Sequence, residues 1–190
     1  MKTTADQKHS FTIRDFVLCA LFCALIAVGA FLRIPLPLVP FTLQLPFVCL
    51  AGLLLGPRRG ALSAFLYVFI GLAGLPVFTQ GGGLGYVLQP TFGYLLGFVG
   101  AAALTGAVAK RGIPSNTRLF LASLAGILVT YAVGIAYYVL LAATVLHIPL
   151  DPKKIAVVFF LNTIGGDLLS AALIVPAVKR LKKAIPQLSA

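Results

Sequence analysis

Long apolar runs alternate along the chain with short stretches rich in proline, glycine and basic residues. A transmembrane helix needs roughly 20 mostly apolar residues to cross a hydrocarbon core about 30 Å thick. Six runs predict helices, over about residues 12–32, 44–56, 59–75, 90–111, 117–147 and 152–183. The second run is short, so the extended VPFTL before it would complete the crossing. The pattern predicts an all-α membrane protein with one six-helix transmembrane domain over residues 1–190.

The basic residues predict the orientation of these helices. If both termini are cytoplasmic, all but three of the Lys and Arg residues lie inside, and Arg33, Lys153 and Lys154 lie outside. Cytoplasmic loops of membrane proteins carry an excess of Lys and Arg. We therefore expect a multi-pass protein of the cell membrane with both termini in the cytoplasm and with the loops 33–43, 76–89 and 148–151 outside.

Two of the predicted outer loops are apolar rather than solvated. RIPLPLVPFTLQ has three prolines, and PVFTQGGGLGYVLQ has four glycines and no charge. Irregular backbone at membrane depth is tolerated only where protein covers it or where it lines a cavity. We expect both loops to fold over the outer mouth of the bundle, although a triple glycine is also compatible with a flexible turn.

Composition agrees with a membrane protein. Hydrophobic residues make up 60% of the chain and charged residues 10%, whereas about a quarter of a soluble domain is charged. The net charge of +11 would suggest a nucleic-acid ligand in a soluble protein. Here the basic residues lie in tails and turns, and aromatic residues do not alternate with them. We therefore predict a lipid bilayer as the environment and no nucleic-acid partner.

Neither a metal site, nor a cofactor, nor a catalytic site is predicted. Cys19, Cys23 and Cys49 lie in apolar runs without a Cys-X-X-Cys spacing, and they are interpreted as packing residues. His9 and His147 have no second metal ligand at a useful spacing. The chain has no Glu, no Ser–His or Cys–His arrangement and no pair of nearby carboxylates, so an enzyme is disfavoured.

One acidic residue lies deep in an apolar run, in the segment NTIGGDLLS. Asp167 comes 14 residues after Lys153, about 21 Å along a helix, so it is not at an interface. A charge at the bilayer centre costs roughly 2.5–3.5 kcal/mol. Thr163 and Ser170 would share its helix face. A neighbouring helix could satisfy the carboxylate, but an intramembrane ionisable residue is by default a hypothesis for a ligand or ion site.

Further polar side chains are predicted in the outer half of the membrane, on one side of Asp167. Tyr131 and Tyr138 share a face of the fifth helix at a spacing of seven. Each such residue alone is typical of an interface belt or a packing contact. Their concentration on one side of Asp167 predicts a ligand pocket, which a membrane scaffold would not need. The candidate binding residues are Asp167, Asn162, Gln89, Tyr86, Tyr94, Gln44, Thr42, Tyr138, Ser170 and Arg33.

The first helix carries a pair of small residues one turn apart. Ala20 and Ala24, in ALFCA, form a small-xxx-small face that permits close helix contact. Spacing alone favours packing inside the bundle over contact with a partner.

The ordered series VPFTLQ, LAGLLLGPRRGALSAFLYVFIGLAGLPVF, GGGLGYVLQPTFGYLLGF and GGDLLSAAL resembles the BioY family. These proteins are the biotin-binding S components of energy-coupling factor (ECF) transporters. The similarity extends from about Thr12 to Lys183, and the block from Leu50 to Phe98 is highly specific.

The resemblance implies a six-helix S-component bundle in the plasma membrane of a prokaryote, with extracellular loops that cap a biotin pocket. It also implies partners, namely a transmembrane T component and two ATP-hydrolysing subunits. This chain has no ATP-binding motif, so any energy from ATP must come from another chain. The family's AxxxA motif, which docks on the T component, matches Ala20 and Ala24, and this favours partner contact over internal packing.

The family's GDLL acid matches Asp167, which would accept hydrogen bonds from the ureido N–H groups of biotin. Asn162 or a tyrosine would then donate to the ureido carbonyl. Ser170 stands where many relatives have Lys, and QPTFGY stands where many have GPTGGY. Contacts that the Lys makes therefore cannot be transferred.

The biotin carboxylate would be held nearer the mouth by Gln44, Gln89, Arg33 or backbone N–H groups of the glycine loop. Two alternatives stay open within transport. The chain could be an S component for another small vitamin, or it could carry biotin without the ATPase module.

Overall fold

The structure is a computed structural model of the chain. It describes residues 11–35, 40–110, 115–147 and 161–184, together with positions 149, 151, 153, 155 and 157.

Six α-helices account for most of the described residues. They are α1 (Ile13–Phe31), α2 (Gln44–Leu55), α3 (Pro57–Leu72), α4 (Phe92–Lys110), α5 (Asn116–Leu141) and α6 (Asn162–Ala184). A π-helical turn, Ala142–Leu146, extends α5. Local signals explain several of the ends. Thr12 and Asp15 form a capping box at the start of α1, and Gly56, with a φ of 82°, separates α2 from Pro57 at the start of α3.

The helix bounds differ from the sequence-based ones mainly at the ends. α3 begins two residues earlier than predicted and ends at Leu72, and α4 begins at Phe92 rather than at Pro90. The predicted end of the fourth helix at Arg111 lies outside the described residues, as does most of the predicted start of the sixth helix between 152 and 160.

A two-stranded sheet and a short 3-10 helix, which the hydrophobic pattern did not predict, lie at one end of the bundle. Strand β1 (Arg33–Ile34) pairs antiparallel with β2 (Phe41–Thr42), with Arg33 opposite Thr42. A short 3-10 helix, Leu84–Leu88, precedes α4. Both fall in the loops that were predicted to be non-helical, so the end of the bundle that carries them is called the hairpin end.

Three described helices are long and apolar enough to cross a membrane. They are α1, α4 and α5 with its π-helical extension, with mean hydropathies of 2.1, 1.7 and 2.2. α2 has 12 residues, which at 1.5 Å per residue is about 18 Å and shorter than the hydrocarbon core. The last turns of α6 carry Lys182 and Lys183. A topology with six crossings therefore stays a prediction.

The opposite end of the bundle contains an ion pair that joins α1 to α3. Asp15 Oδ1 lies 3.0 Å from Arg59 Nε, and the Cys19 thiol donates to the Arg59 carbonyl at 3.4 Å. This side of α1 is buried, whereas Ala20 and Ala24 are exposed on its other side. The small pair is therefore not used for packing within the described chain.

Close helix packing in the centre of the bundle depends on glycine. α4 packs against α2, α3 and α5. A methyl group on Gly52 would lie 2.5 Å from the Ala102 carbonyl oxygen of α4, and one on Gly97 would lie 2.9 Å from the Thr130 backbone of α5. Without a hydrophobic driving force between helices in lipid, such close approach supplies the van der Waals contact that holds helices together.

Gly52→Ala is therefore expected to destabilise the bundle, because α2 must move away from the α4 backbone. Overpacking of this kind costs about 1–3 kcal/mol, which thermal unfolding in detergent would register as a lower midpoint. The matched control is Gly165→Ala, since a methyl group there has no neighbour within 4 Å. Equal midpoints for the two variants would contradict the packing account.

Candidate functional site

A polar pocket lies at the hairpin end of the bundle, where the start of α2, the loop after α3, the start of α4, the middle of α5 and the start of α6 meet. Its walls are Pro40, Phe41, Thr42, Gln44, Leu45, Thr79, Tyr86, Thr91, Tyr94, Leu95, Phe98, Thr130, Tyr131, Thr163 and Asp167. The empty space among them, counted out to the solvent at the mouth, is about 540 Å³. This volume includes open solvent, so the enclosed part of the pocket is smaller.

Asp167 forms the polar floor of the pocket together with Tyr131 and Thr163. The Tyr131 hydroxyl donates to Asp167 Oδ2 at 2.5 Å, and it lies 2.5 Å from Thr163 Oγ1. Because the single phenolic hydrogen goes to the carboxylate, the Thr163 hydroxyl must donate to Tyr131. Asp167 is 6% exposed, and its Oδ1 accepts no hydrogen bond from the described residues. The floor therefore offers a buried acceptor that a ligand N–H could use.

The side walls of the pocket are aromatic and apolar. The Tyr94 ring meets the Tyr131 ring edge to face, with centroids 5.7 Å apart. Phe41, on β2, closes the side against α6, where a methyl group on Gly166 would lie 2.5 Å from the Phe41 ring. Leu95 and Phe98 add apolar surface from α4. Such walls suit a flat, mostly apolar ligand with a few polar atoms.

Hydrogen bonds tie the mouth of the pocket together. Thr79 Oγ1 lies 2.9 Å from the Tyr86 hydroxyl. The Arg33 guanidinium donates to the Thr79 carbonyl and so joins β1 to the glycine-containing loop between α3 and α4. Thr42 Oγ1 donates to Gln44 Oε1 at 3.1 Å. Both loops predicted to lie over the outer mouth therefore contribute residues to this pocket.

Five of the predicted binding residues line the pocket, namely Asp167, Tyr86, Tyr94, Gln44 and Thr42. They come from four different parts of the chain, 42–44, 86, 94 and 167. Their convergence on one space supports the interpretation of the polar cluster as a site.

Four predicted residues do not line the pocket. Tyr138 shares a face with Tyr131 but lies seven residues closer to the C-terminal end of α5. This places it about 10 Å along the helix from the floor of the pocket. Ser170 lies one turn beyond Asp167 in the other direction, against Cys49 in a narrow apolar space below the floor.

Arg33 and Gln89 are the other two. The Arg33 side chain donates to the Thr79 carbonyl at the mouth. Gln89 lies in the link between the 3-10 helix and α4, where its backbone N–H donates to the Tyr86 carbonyl. The side chain of Asn162 lies outside the described residues.

The sequence did not single out several of the residues that line the pocket. Tyr131 and Thr163 had a signal, since one shares a helix face with Tyr138 and the other with Asp167. Thr79 and Thr91 had none, because a threonine in a loop or at a helix start is common. Thr91 Oγ1 is buried and has no hydrogen-bond partner among the described residues. An orphaned hydroxyl in a pocket wall is a candidate ligand contact.

Within the described residues, no group of three or more His, Cys, Asp and Glu side chains could hold a metal ion.

The model of the BioY family matches residues 2–187. The chain is 47% identical over 170 residues to "Probable biotin transporter BioY" of Lysinibacillus sphaericus, which covers 89% of this chain and 87% of that protein. It is 37% identical over 176 residues to "Biotin transporter BioY" of Thermotoga maritima, which covers 90% of this chain and 97% of that protein.

The fold also matches a solved structure. The crystal structure of "the S-component for biotin from an ECF-type ABC transporter" superposes with a TM-score of 0.78 at 29% identity, over 92% of this chain and 95% of that chain. Similarity to transporters, together with three helices long enough to span a bilayer, indicates a membrane protein. The resemblance read from the sequence motifs is confirmed, and the chain belongs to the BioY family.

Proposed function

We propose that this protein is the biotin-binding S component of an ECF-type importer, which captures the vitamin in the membrane. The observation that carries the proposal is the buried carboxylate of Asp167, held by Tyr131, with Oδ1 left as an acceptor at the floor of the pocket. Family membership and the biotin transporters among its relatives support the choice of ligand.

The chemistry of biotin matches the arrangement of polar groups. Its ureido ring has two N–H donors beside one carbonyl acceptor, and its tail ends in a carboxylate. Asp167 would accept from an N–H group, and the Thr91 hydroxyl and the Gln44 amide would donate to ligand oxygens. Asn162 stays a candidate donor to the ureido carbonyl. The aromatic walls would pack against the fused rings.

In the membrane, we propose six crossings with both termini in the cytoplasm. The hairpin end then faces the outside, and the pocket opens toward incoming biotin, with the two outer loops as its cap. Only about 60 Å³ of the pocket is wide enough for the centre of a water molecule. Ligand entry would therefore require the loops or the aromatic walls to move apart.

We further propose that the partners are a T component and two ATPase subunits. The solved structure that this fold matches is an S component of an ECF-type ABC transporter. Ala20 and Ala24 are exposed on α1 and leave a shallow surface for a partner helix. The protein itself would bind and release the ligand without catalysing a reaction.

Isothermal titration of the purified protein with biotin tests this function, and a thermal-shift screen over other vitamins tests the ligand. Saturable binding of biotin, and of no other vitamin, would support the proposal. Binding of a different vitamin with no response to biotin would overturn it. Biotin uptake in cells that lack the T component and the ATPases would instead favour a solitary carrier.

Thr91→Val is expected to weaken biotin binding about 3- to 10-fold, the net effect of one lost hydrogen bond. Stability should not fall, because the hydroxyl that is removed has no hydrogen-bond partner within the described part of the unliganded chain. Titration and thermal unfolding measure the two effects. Thr105→Val is the matched control, since Thr105 is also buried but lies between α4 and α5 outside the pocket. Equal affinity of wild type and Thr91→Val would remove Thr91 from the site.

A further inference from the structure

A buried tyrosine outside the pocket is bonded to one of the pocket residues. Tyr67 lies on α3, is 0% exposed and does not line the pocket. Its hydroxyl accepts a hydrogen bond from Gln44 Nε2 at 2.6 Å and donates to the Val77 carbonyl at 3.1 Å. The phenol thus connects a wall of the pocket to the start of the loop that carries the glycines.

The Val77 carbonyl determines which group donates in each hydrogen bond of the series from Val77 through Tyr67 to Gln44. A backbone carbonyl can only accept, so the single hydrogen of the Tyr67 hydroxyl must point to it. The phenolic oxygen is then left to accept, and Gln44 must present its NH₂ group, not its carbonyl oxygen. The other end agrees, because Gln44 Oε1 accepts from the Thr42 hydroxyl at 3.1 Å. The hydrogen bonds therefore identify which end of the Gln44 side-chain amide is the oxygen and which is the NH₂ group.

This order leaves one hydrogen of Gln44 Nε2 without an acceptor among the described residues. Gln44 is 3% exposed and lines the pocket. A buried donor without an acceptor costs free energy, which a ligand oxygen would recover. The pocket then presents a donor from α2 and an acceptor, Asp167, from α6.

We propose that Tyr67 is a positioning residue for ligand binding: it orients the Gln44 amide so that an N–H group faces an oxygen of the ligand. This inference rests on the proposed function and adds a residue that never touches the ligand. Without the Tyr67 hydroxyl, the amide can rotate and present its carbonyl oxygen to the pocket, where it repels a ligand oxygen.

The test is a double-mutant cycle on biotin affinity, measured by isothermal titration. Tyr67→Phe keeps the ring and its edge contact with Phe78, 5.4 Å between centroids, and removes only the hydroxyl. We expect a 3- to 10-fold weaker affinity, about the effect of one hydrogen bond. In a Gln44→Met background, Tyr67→Phe should cause no further loss, because the group that it orients is gone.

Tyr137→Phe is the matched control. The Tyr137 hydroxyl also donates to a backbone carbonyl, that of Val87, but Tyr137 is not among the residues that line the pocket, and the described hydrogen bonds of Gln44 go to Thr42 and Tyr67 instead. Its affinity for biotin should equal that of wild type.

Three outcomes would overturn the positioning role. They are an unchanged affinity of Tyr67→Phe, an equal loss in the wild-type and Gln44→Met backgrounds, and an equal loss in Tyr137→Phe. If Tyr67→Phe does not fold, Gln44→Met alone decides, since unchanged biotin affinity would show that the oriented amide is not used. A wild-type protein that does not bind biotin would be a failure of the proposed function instead.

Discussion

Asp167→Asn is expected to weaken biotin binding by about 10- to 100-fold, which corresponds to the loss of a hydrogen bond to a charged group. The substitution replaces one of the two carboxylate oxygens by an NH₂ group. If that group takes the place of Oδ1, it faces the ureido N–H with a donor. If it takes the place of Oδ2, it faces the Tyr131 hydroxyl with a donor. In the wild-type protein that hydroxyl donates to Oδ2 at 2.5 Å. Isothermal titration measures the change.

Asp151→Asn is the matched control for this prediction. It is the same substitution in an acid whose Oδ1 accepts from the Lys153 backbone N–H, away from the pocket. Wild-type affinity is expected for it. If Asp167→Asn binds biotin as tightly as wild type does, Asp167 is not a ligand residue, and its bond to Tyr131 is a structural one.

The double substitution Ala20→Leu and Ala24→Leu is expected to abolish association with the T component and to leave biotin affinity unchanged. Both alanines are exposed on α1, on the side opposite the Asp15–Arg59 ion pair. Two leucines would hold a partner helix away from the α1 backbone and remove the close contact that small residues permit. Co-purification with the T component and the ATPases measures assembly, and titration measures binding.

Ala132→Leu with Ala136→Leu provides the control for the docking prediction. These alanines have the same spacing, and both are exposed on α5. Normal assembly is expected, because the docking motif that the family resemblance implies lies on the first helix, whereas the pair on α5 matches it in spacing alone. Recovery of an intact complex from the α1 variant would refute docking at Ala20 and Ala24. Loss of assembly in both variants would show that the effect of the α1 substitutions is not specific to a docking site at Ala20 and Ala24.

The site shows where prediction from sequence stops. Asp167 was found because a carboxylate in an apolar run has a cost that can be estimated without coordinates. Tyr138 and Tyr131 could not be ranked, since a shared helix face does not say at which height along α5 the other helices leave a space. The contact that Arg33 makes could not be predicted for a similar reason. A cation beside a predicted mouth can bind a ligand or a carbonyl of the next loop, and the Thr79 carbonyl is 46 residues away in sequence.

The sequence by itself determined the membrane class, the helices, the family and the central acid. These depend on hydropathy, on local helix signals and on an ordered series of motifs, and each can be evaluated within a short window of the chain. Only the tertiary structure decided that Tyr131 joins Asp167 to Thr163, that the buried Thr91 hydroxyl has no partner among the described residues, and that the Tyr67 hydroxyl accepts from the Gln44 amide. These facts depend on the positions of side chains from different helices to within a fraction of an ångström, and packing sets those positions.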